Sequence, residues 1–235
     1  MIKRTRILLK ITGEAFLSQD KKLSPHTINN LIGQLVQLSN THQFGIVVGG
    51  GNFFRGNQHG KQMGITPSIG HSIGILATMM NGLMLKDLLE QQGMPVTLLS
   101  ALDCPEVGEP ISHQIIEKAL SCGNTMVFVG GTGIPFFSTD TTAVVRALQI
   151  GAKTIWKGTN VDGIYSKDPH EFPDAQFLKE LTYKQALNDG LRIMDATAFA
   201  LAAQNEQTIR VFNIFAPDAL LIANENQQFG SRIIV

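Results

Sequence analysis

Charge of either sign is scarce in this 235-residue chain, and none is left over. Nineteen lysines and arginines meet 19 aspartates and glutamates, and charged residues make up only 16% of the total. Such a chain has no net basic field to draw nucleic acid or an anionic membrane, so neither is expected as a partner; only a local basic pocket stays open. Cysteine is nearly absent: Cys104 and Cys122 have no C-x-x-C spacing and no histidine cluster beside them. That excludes a zinc site of the usual spacing and reads as two unpaired thiols in a reducing compartment. The six histidines, at 26, 42, 59, 71, 113 and 170, show no metal-ligand spacing either. Long apolar runs are missing. The basic start at Lys3, Arg4 and Arg6 leads only into Ile7–Leu9 before Lys10 intervenes. That is too short for a signal-peptide core, and no segment approaches the ~18 apolar residues of a membrane span. A cytosolic protein is expected.

Familiar catalytic motifs are missing as well. The glycine-rich stretch VVGGGNFFRG, Val47 to Gly56, is neither G-x-x-x-x-G-K-[ST] nor G-x-G-x-x-G, and no G-x-S-x-G elbow supports a hydrolase. What the chain does have is core: 43% hydrophobic residues over a length that buries a sizeable interior. Apolar strand-like runs (RILLKI, FGIVVGG, PVTLLS, TMVFVGG, KTIWKG, TIRVFNI, with RIIV as a last strand) alternate with helical patterns. Ser24 and Pro25 read as the N-cap and first position of one helix; Ser72 to Gln92 reads as a long, Met-rich one; Gly93, Gly123 and Gly151 close three helices. Strands apolar throughout are strands covered on both faces. The expectation is an α/β protein, a three-layer α/β/α sandwich around a mostly parallel sheet, built as one domain over residues 1–235. The polar, turn-rich region from Val161 to Leu191 reads as a hairpin or loop excursion from that sheet.

In open α/β sheets ligands bind at the carboxyl ends of the strands. Four strand ends here carry glycine, hydroxyl and charged groups: KITGEAF (Lys10, Thr12, Gly13, Glu14), GGGNFFRG, GGTGIPFFSTD (Gly130 to Asp140) and GTNVDGIYSKDP. Glycines let backbone N–H groups approach phosphate oxygens, and helix N-termini add partial positive charge. Lys10, Arg55 and Lys157 are the cations that would neutralise a transferring phosphoryl group. Asp140, Asp162, Asp168 or Asp195 would hold Mg²⁺ or orient donors. Asp140 also suits a first-turn or capping position before TTAVVRAL, and Phe53 and Phe54 read as packing anchors rather than base-stacking groups. One such turn alone would be a turn; four at one edge point to nucleotide phosphate chemistry.

The ordered segments LLKITGEAF, VVGGGNFFRG, GILATMMNGL, GGTGIPFFSTDTTAVVRALQI, WKGTNVDGIYSKDP, LRIMDATAFALA and IRVFNI resemble bacterial UMP kinase (uridylate kinase), of the amino acid kinase fold family, over essentially the whole chain. The resemblance implies transfer of the γ-phosphoryl of MgATP to UMP, giving UDP for pyrimidine nucleotide biosynthesis, by a cytoplasmic homohexamer. It implies that Lys10, Ile11, Thr12 and Gly13 line the ATP phosphates, that Gly51 and Arg55 meet them too, and that Thr159, Tyr165 and Asp168 contact the ATP nucleoside. It further implies that Gly50 meets UMP and that Thr132, Gly133, Ile134, Pro135, Phe136, Phe137, Ser138 and Thr139 wrap it. Lys10, Arg55, Asp140 and Asp195 are the implied catalytic set, with Mg²⁺ as the cofactor accompanying ATP.

The chain departs from the family pattern on the acceptor side. Pro67 stands where the family carries Arg, and His71 where it carries the Asp expected to bond the UMP ribose. Thr12 replaces a Ser, Ile134 an Asn, and Lys153 an Asp. Histidine can bond a hydroxyl as donor or acceptor but brings no fixed negative charge. A divergent nucleotide-binding regulatory protein with weak or no kinase activity, and a kinase for a different small phosphate acceptor, therefore stay open as alternatives.

Overall fold

The computed structural model describes residues 4–18, 20–55 and 59–235. Its strands are β1 (Thr5–Ile11), β2 (His42–Val48), β3 (Val96–Ser100), β4 (Glu109–Pro110), β5 (Thr125–Val129), β6 (Thr154–Thr159), β7 (Ile164–Tyr165), β8 (Phe177–Leu178), β9 (Glu180–Thr182), β10 (Thr208–Asn213) and β11 (Ser231–Ile234). Its α-helices are α1 (Pro25–Leu38), α2 (Pro67–Gln91), α3 (His113–Cys122), α4 (Thr139–Ile150), α5 (Tyr183–Asn188), α6 (Ala196–Gln204) and α7 (Ala219–Glu225). One sheet carries nine strands in the order β4-β3-β5-β2-β1-β6-β10-β11-β9. Every pairing in it is parallel except β10 with β11. β7 and β8 form the hairpin of the expected excursion.

The all-apolar strands are explained by what covers them. One face packs against α1, α2 and α7, with Phe16, Phe44, Leu85 and Phe212 fully buried between the layers. The other packs against α3, α4 and α6 around Leu8, Phe128, Val144 and Ile209. Each large apolar side chain so enclosed contributes roughly 1.5–3 kcal/mol. Ser24 caps α1, accepting a bond from the Thr27 N–H at 3.3 Å, with Pro25 at the first helical position. Gly123 and Gly151 end α3 and α4 in the left-handed conformation.

The long helix differs from expectation at its start: α2 begins at Pro67, not Ser72. A proline at the first helical position lacks only an N–H that would go unpaired anyway, so the helix extends back through His71. Contrary to the expectation that no segment approaches a membrane span, α2 is by length and composition apolar enough to cross a membrane. Here it lies on the sheet, burying Leu85 and Leu89 together with the polar Thr78 and Asn81. Because the neighbouring strands β5, β2, β1, β6 and β10 run parallel, their carboxyl ends, and the loops that follow, gather at one edge.

Candidate active site

At the centre of that edge is an Asp between two lysines. Lys10 pairs with Lys157 in the β1–β6 register, so both side chains leave the same face of the sheet. Asp140, in the first turn of α4, meets them there. Its Oδ2 is 2.5 Å from Lys157 Nζ and its Oδ1 is 3.3 Å from Lys10 Nζ. All three side chains are 12–15% exposed. Lys157 also donates to the Ile193 carbonyl at 2.7 Å. Burial pushes the Asp140 carboxyl up, but the two lysines together outweigh it and hold the group below its ordinary range. Burial pulls the Lys157 ammonium down, with Lys10 adding to that and Asp140 opposing it. Asp140 Oδ1 accepts no hydrogen bond among the described residues, and Lys10 donates none, so Lys10 keeps donors in reserve.

A second carboxylate stands behind the first. Asp195 caps α6 by accepting from the Ala198 N–H at 3.0 Å. It also accepts from Thr141 Oγ1 at 3.0 Å and from the Ser138 hydroxyl. Ser138 in turn caps α4, accepting from the Asp140 N–H at 3.0 Å. Asp195 and Asp140 are thus coupled through the α4 N-terminus, and Asp195 does not touch Lys10 directly among these bonds.

Next to this cluster opens a cavity of 190 Å³ lined by Gly50, Gly51, Phe54, Gly70, His71, Gly74, Ile75, Thr78, Gly131, Phe137, Ser138 and Thr139. The α4 N-terminus and two glycine turns therefore face one small space, a setting suited to an anion. Gly50 is there because nothing larger fits. A Cβ on it would lie 2.7 Å from both the Ala77 Cβ and the Gly74 carbonyl of α2. Gly13 is equally confined, with Asn52 Oδ1 at 2.5 Å from a Cβ placed there. A larger cavity, 930 Å³, lies beside the first and is lined by Glu14, Gly51, Asn52, Arg55, Asn160, Ile214, Phe215 and residues of α1.

The structure brings some of the expected residues together and separates others. Gly50, His71, Phe137, Ser138 and Thr139 share the small cavity, and Lys10, Asp140 and Asp195 belong to one network. Ile11 is fully buried, with its carbonyl taken by the Gly49 N–H at 2.9 Å, so its side chain is core. Arg55 forms an ion pair with the Glu14 carboxylate. Thr132 and Ile134 bond within their own loop, and neither they nor Gly133, Pro135 and Phe136 line the small cavity. Phe136 has φ +74°, rare for a bulky residue, and its ring lies 4.8 Å from that of His71. Thr159 ends β6, Tyr165 stacks edge-on against Phe177 on the hairpin, and Asp168 accepts from the His170 N–H at 2.9 Å in the turn beyond. The expectation that both phenylalanines are packing anchors is met by Phe54 and not by Phe53. Phe53 is exposed, and Phe54 lines the small cavity with its edge against His59. Sequence reading also missed Thr78, Asn81 and Thr141. Their one visible signal was a polar side chain on the apolar face of a helix.

The comparisons with known proteins fit this geometry. A family model described as the amino acid kinase family matches residues 5–213. The chain belongs to the amino acid kinase family. Within it, this chain is 38% identical to a uridylate kinase of Thermotoga maritima over 232 residues, covering 97% of this chain and 99% of that one. It is 39% identical to a uridylate kinase of Legionella pneumophila, covering 98% and 94%. A crystal structure of UMP kinase from Ureaplasma parvum superposes with a TM-score of 0.94 at 34% identity, each chain fully covered. The α/β architecture and the family resemblance read from the sequence are both borne out.

Proposed function

We propose that this chain is a nucleoside monophosphate kinase that transfers the γ-phosphoryl group of MgATP to UMP, giving ADP and UDP. The observation that carries the reading is the Lys10–Asp140–Lys157 cluster, whose Asp140 directly follows the cavity-lining Ser138 and Thr139, in a chain whose relatives are uridylate kinases. A phosphate oxygen of the acceptor forms the new P–O bond while the bond from the γ-phosphorus to the β–γ bridging oxygen breaks. The electron pair and charge leave with ADP. Such a transfer asks the protein for placement and charge stabilisation rather than covalent help. Lys10 and Lys157 supply the charge, and Asp140 holds both ammonium groups and keeps them apart. Asp195 fixes the α4 N-terminus that carries Asp140.

ATP takes the larger opening, its phosphates along Lys10, the Ile11 backbone, Thr12, Gly13, Gly51 and Arg55, and its nucleoside toward Thr159, Tyr165 and Asp168. UMP takes the 190 Å³ cavity at Gly50, His71, Phe137, Ser138 and Thr139, with residues 132–136 closing around the part of UMP outside it. Mg²⁺ enters as part of the nucleotide substrate. The donor set favours this, because Asp140 is engaged by two lysines and Asp195 by two hydroxyls and an N–H, and no group of three His, Cys, Asp or Glu among the described residues is arranged for a metal ion. Magnesium held mainly by substrate phosphates is common in phosphoryl-transfer sites.

A second acceptor is favoured by one feature. Among the described residues no carboxylate lines the small cavity, and the titratable side chain lining it is His71. Coupled ADP release with MgATP and a panel of UMP, CMP and smaller phosphate monoesters decides the matter. Turnover highest with UMP supports the proposal, and turnover highest with another monoester replaces the acceptor. ATP binding without any turnover leaves a regulatory nucleotide-binding protein. A large gain for UMP in His71→Asp would mark the native acceptor site as retuned.

We further read residues 1–235 as one cytoplasmic domain that assembles as a homohexamer. Ile69, Leu76, Met80 and Leu83 form an exposed stripe along α2, each 45–54% accessible, which suits a subunit contact. Sedimentation velocity of the wild type and of Leu76→Glu tests it.

A further inference from the structure

Arg146 is a buried cation without a counter-ion. It sits two turns into α4, 6% exposed, and none of the ion pairs among the described residues includes it. Its guanidinium donates from Nη1 to the neutral Gln149 Oε1 at 2.6 Å and from Nη2 to the Gly131 carbonyl at 3.1 Å. It lies 5.6 Å from the centre of the Phe128 ring, and its Nε has no partner. The other buried arginine is handled differently: Arg210 is wrapped by the carbonyls of Ala223, Asn226 and Phe229 at the end of α7, where a helix presents partial negative charge. Burying a charge with so little compensation is costly. Burial pulls the Arg146 guanidinium below its ordinary range, yet an arginine stays charged near neutral pH.

Gly131 is the residue that separates this charge from the small cavity. It lines that cavity together with Ser138 and Thr139, at φ +60°, and its carbonyl points back to Arg146. In a trans peptide the next N–H points the opposite way, so the same bond turns the Thr132 N–H away from the guanidinium. We propose that Arg146 is a positioning residue for the acceptor: through Gly131 it orients the β5–α4 loop, and its unpaired charge raises the affinity of the cavity for the dianionic phosphate of the acceptor. Buried beneath one residue of protein, that charge is little screened by salt. This proposal rests on the kinase reading above and deepens it.

The test uses three variants of the full chain, with binding of UMP and of uridine and the KM for ATP measured for each. Arg146→Gln removes the charge and keeps hydrogen bonding; Arg146→Lys keeps the charge and loses the planar fork. Gln149→Glu leaves Arg146 in place and neutralises it with a carboxylate on the exposed side of the helix. UMP affinity is expected to fall roughly tenfold in Arg146→Gln, the scale of one unit charge felt across a single residue. It is expected to fall severalfold in Gln149→Glu, without loss of thermal stability, and within about threefold in Arg146→Lys. Uridine, which has no phosphate, should bind all four proteins alike, and the KM for ATP should not move. A parallel loss of uridine and UMP affinity, or unchanged UMP affinity in a folded Gln149→Glu protein, overturns the proposal. Absence of UMP turnover in the wild type would instead overturn the kinase reading. If Arg146→Gln fails to fold, Gln149→Glu carries the test alone.

Discussion

Asn81 Nδ2 donates to the Gly49 carbonyl at 2.7 Å, tying the middle of α2 to the glycine turn at the end of β2. The same amide exchanges bonds with the side chain of Asn52, at 2.7 and 2.9 Å. One turn earlier, Thr78 Oγ1 accepts from the Gly130 N–H at 2.9 Å, at the start of the β5–α4 loop. One helix therefore pins two of the loops that line the small cavity. Asn81→Ala leaves a buried carbonyl unpaired, which costs about 1–3 kcal/mol. Displacing the turn should also lower kcat/KM by tenfold or more, since misplacement near 1 Å can cost about 10²-fold. Thermal unfolding and steady-state kinetics check both. An unchanged melting temperature would show that the turn holds its shape without α2.

Lys10, Asp140 and Lys157 act as one unit, so their losses should not add. Lys10→Ala and Lys157→Ala are each expected to lower kcat by roughly 10²-fold, the scale of removing one transition-state donor. The double variant should fall little further than either single one. Asp140→Asn keeps the shape but leaves two ammonium groups facing each other without a neutralising charge, and should lower kcat comparably. Turnover numbers for the four variants at saturating MgATP and UMP test this. Near-normal activity in Lys10→Ala would sink the assignment of Lys10 outright.

How much of this was legible beforehand follows from what is local. RILLKI, TMVFVGG and the capped TDTTAVVRALQIG carry their own patterns, so the sheet, the helices and the shared edge could be read from the sequence. Lys10 and Asp140 stood next to such patterns and lie at that edge in the fold, whereas His71 was singled out only by the family resemblance. The start of α2 was misread because Pro67 can end a strand-like loop or begin a helix, and only packing decides. The pairing of Arg55 with Glu14 spans 41 residues, and that of Asp195 with Ser138 spans 57. No periodicity reports such contacts. Arg146 showed only as a lone charge in TTAVVRAL, and its missing counter-ion is a fact of three-dimensional burial.

Arg55 is held by Glu14 on the rim of the larger cavity, and both are partly exposed. An exposed ion pair contributes at most about 1 kcal/mol, so Glu14→Gln should leave stability nearly unchanged. It also releases Arg55 toward the ATP phosphates. The KM for ATP is then expected to fall severalfold, with a steeper dependence on salt because the freed charge is exposed. A rise in that KM would show the reverse: that Glu14 holds Arg55 in its working position.

His42 makes the stability of the fold depend on pH, far from the site. It begins β2 half-buried, 5.8 Å from the Phe44 ring and 6.1 Å from Trp156, with Nδ1 2.8 Å from Thr41 Oγ1. Burial pulls its pKa below the ordinary imidazole value, against a smaller opposing bond to the Leu38 carbonyl. The unfolded chain then takes up the proton first. Stability is full above about 6.5, declines as pH falls below it, and levels off once the folded imidazole is also protonated. Asp140 acts lower on the scale. Its carboxyl is held below the ordinary value, so its contribution is present above about 3.8 and is lost as pH falls through the folded value. His42→Phe keeps an aromatic ring against Phe44 and Trp156 but cannot titrate. Urea unfolding midpoints between pH 8 and pH 5 should slope downward in the wild type and lie flatter in this variant, while the steeper loss at acid pH should persist in both. Identical slopes would mean that the proton responsible binds elsewhere.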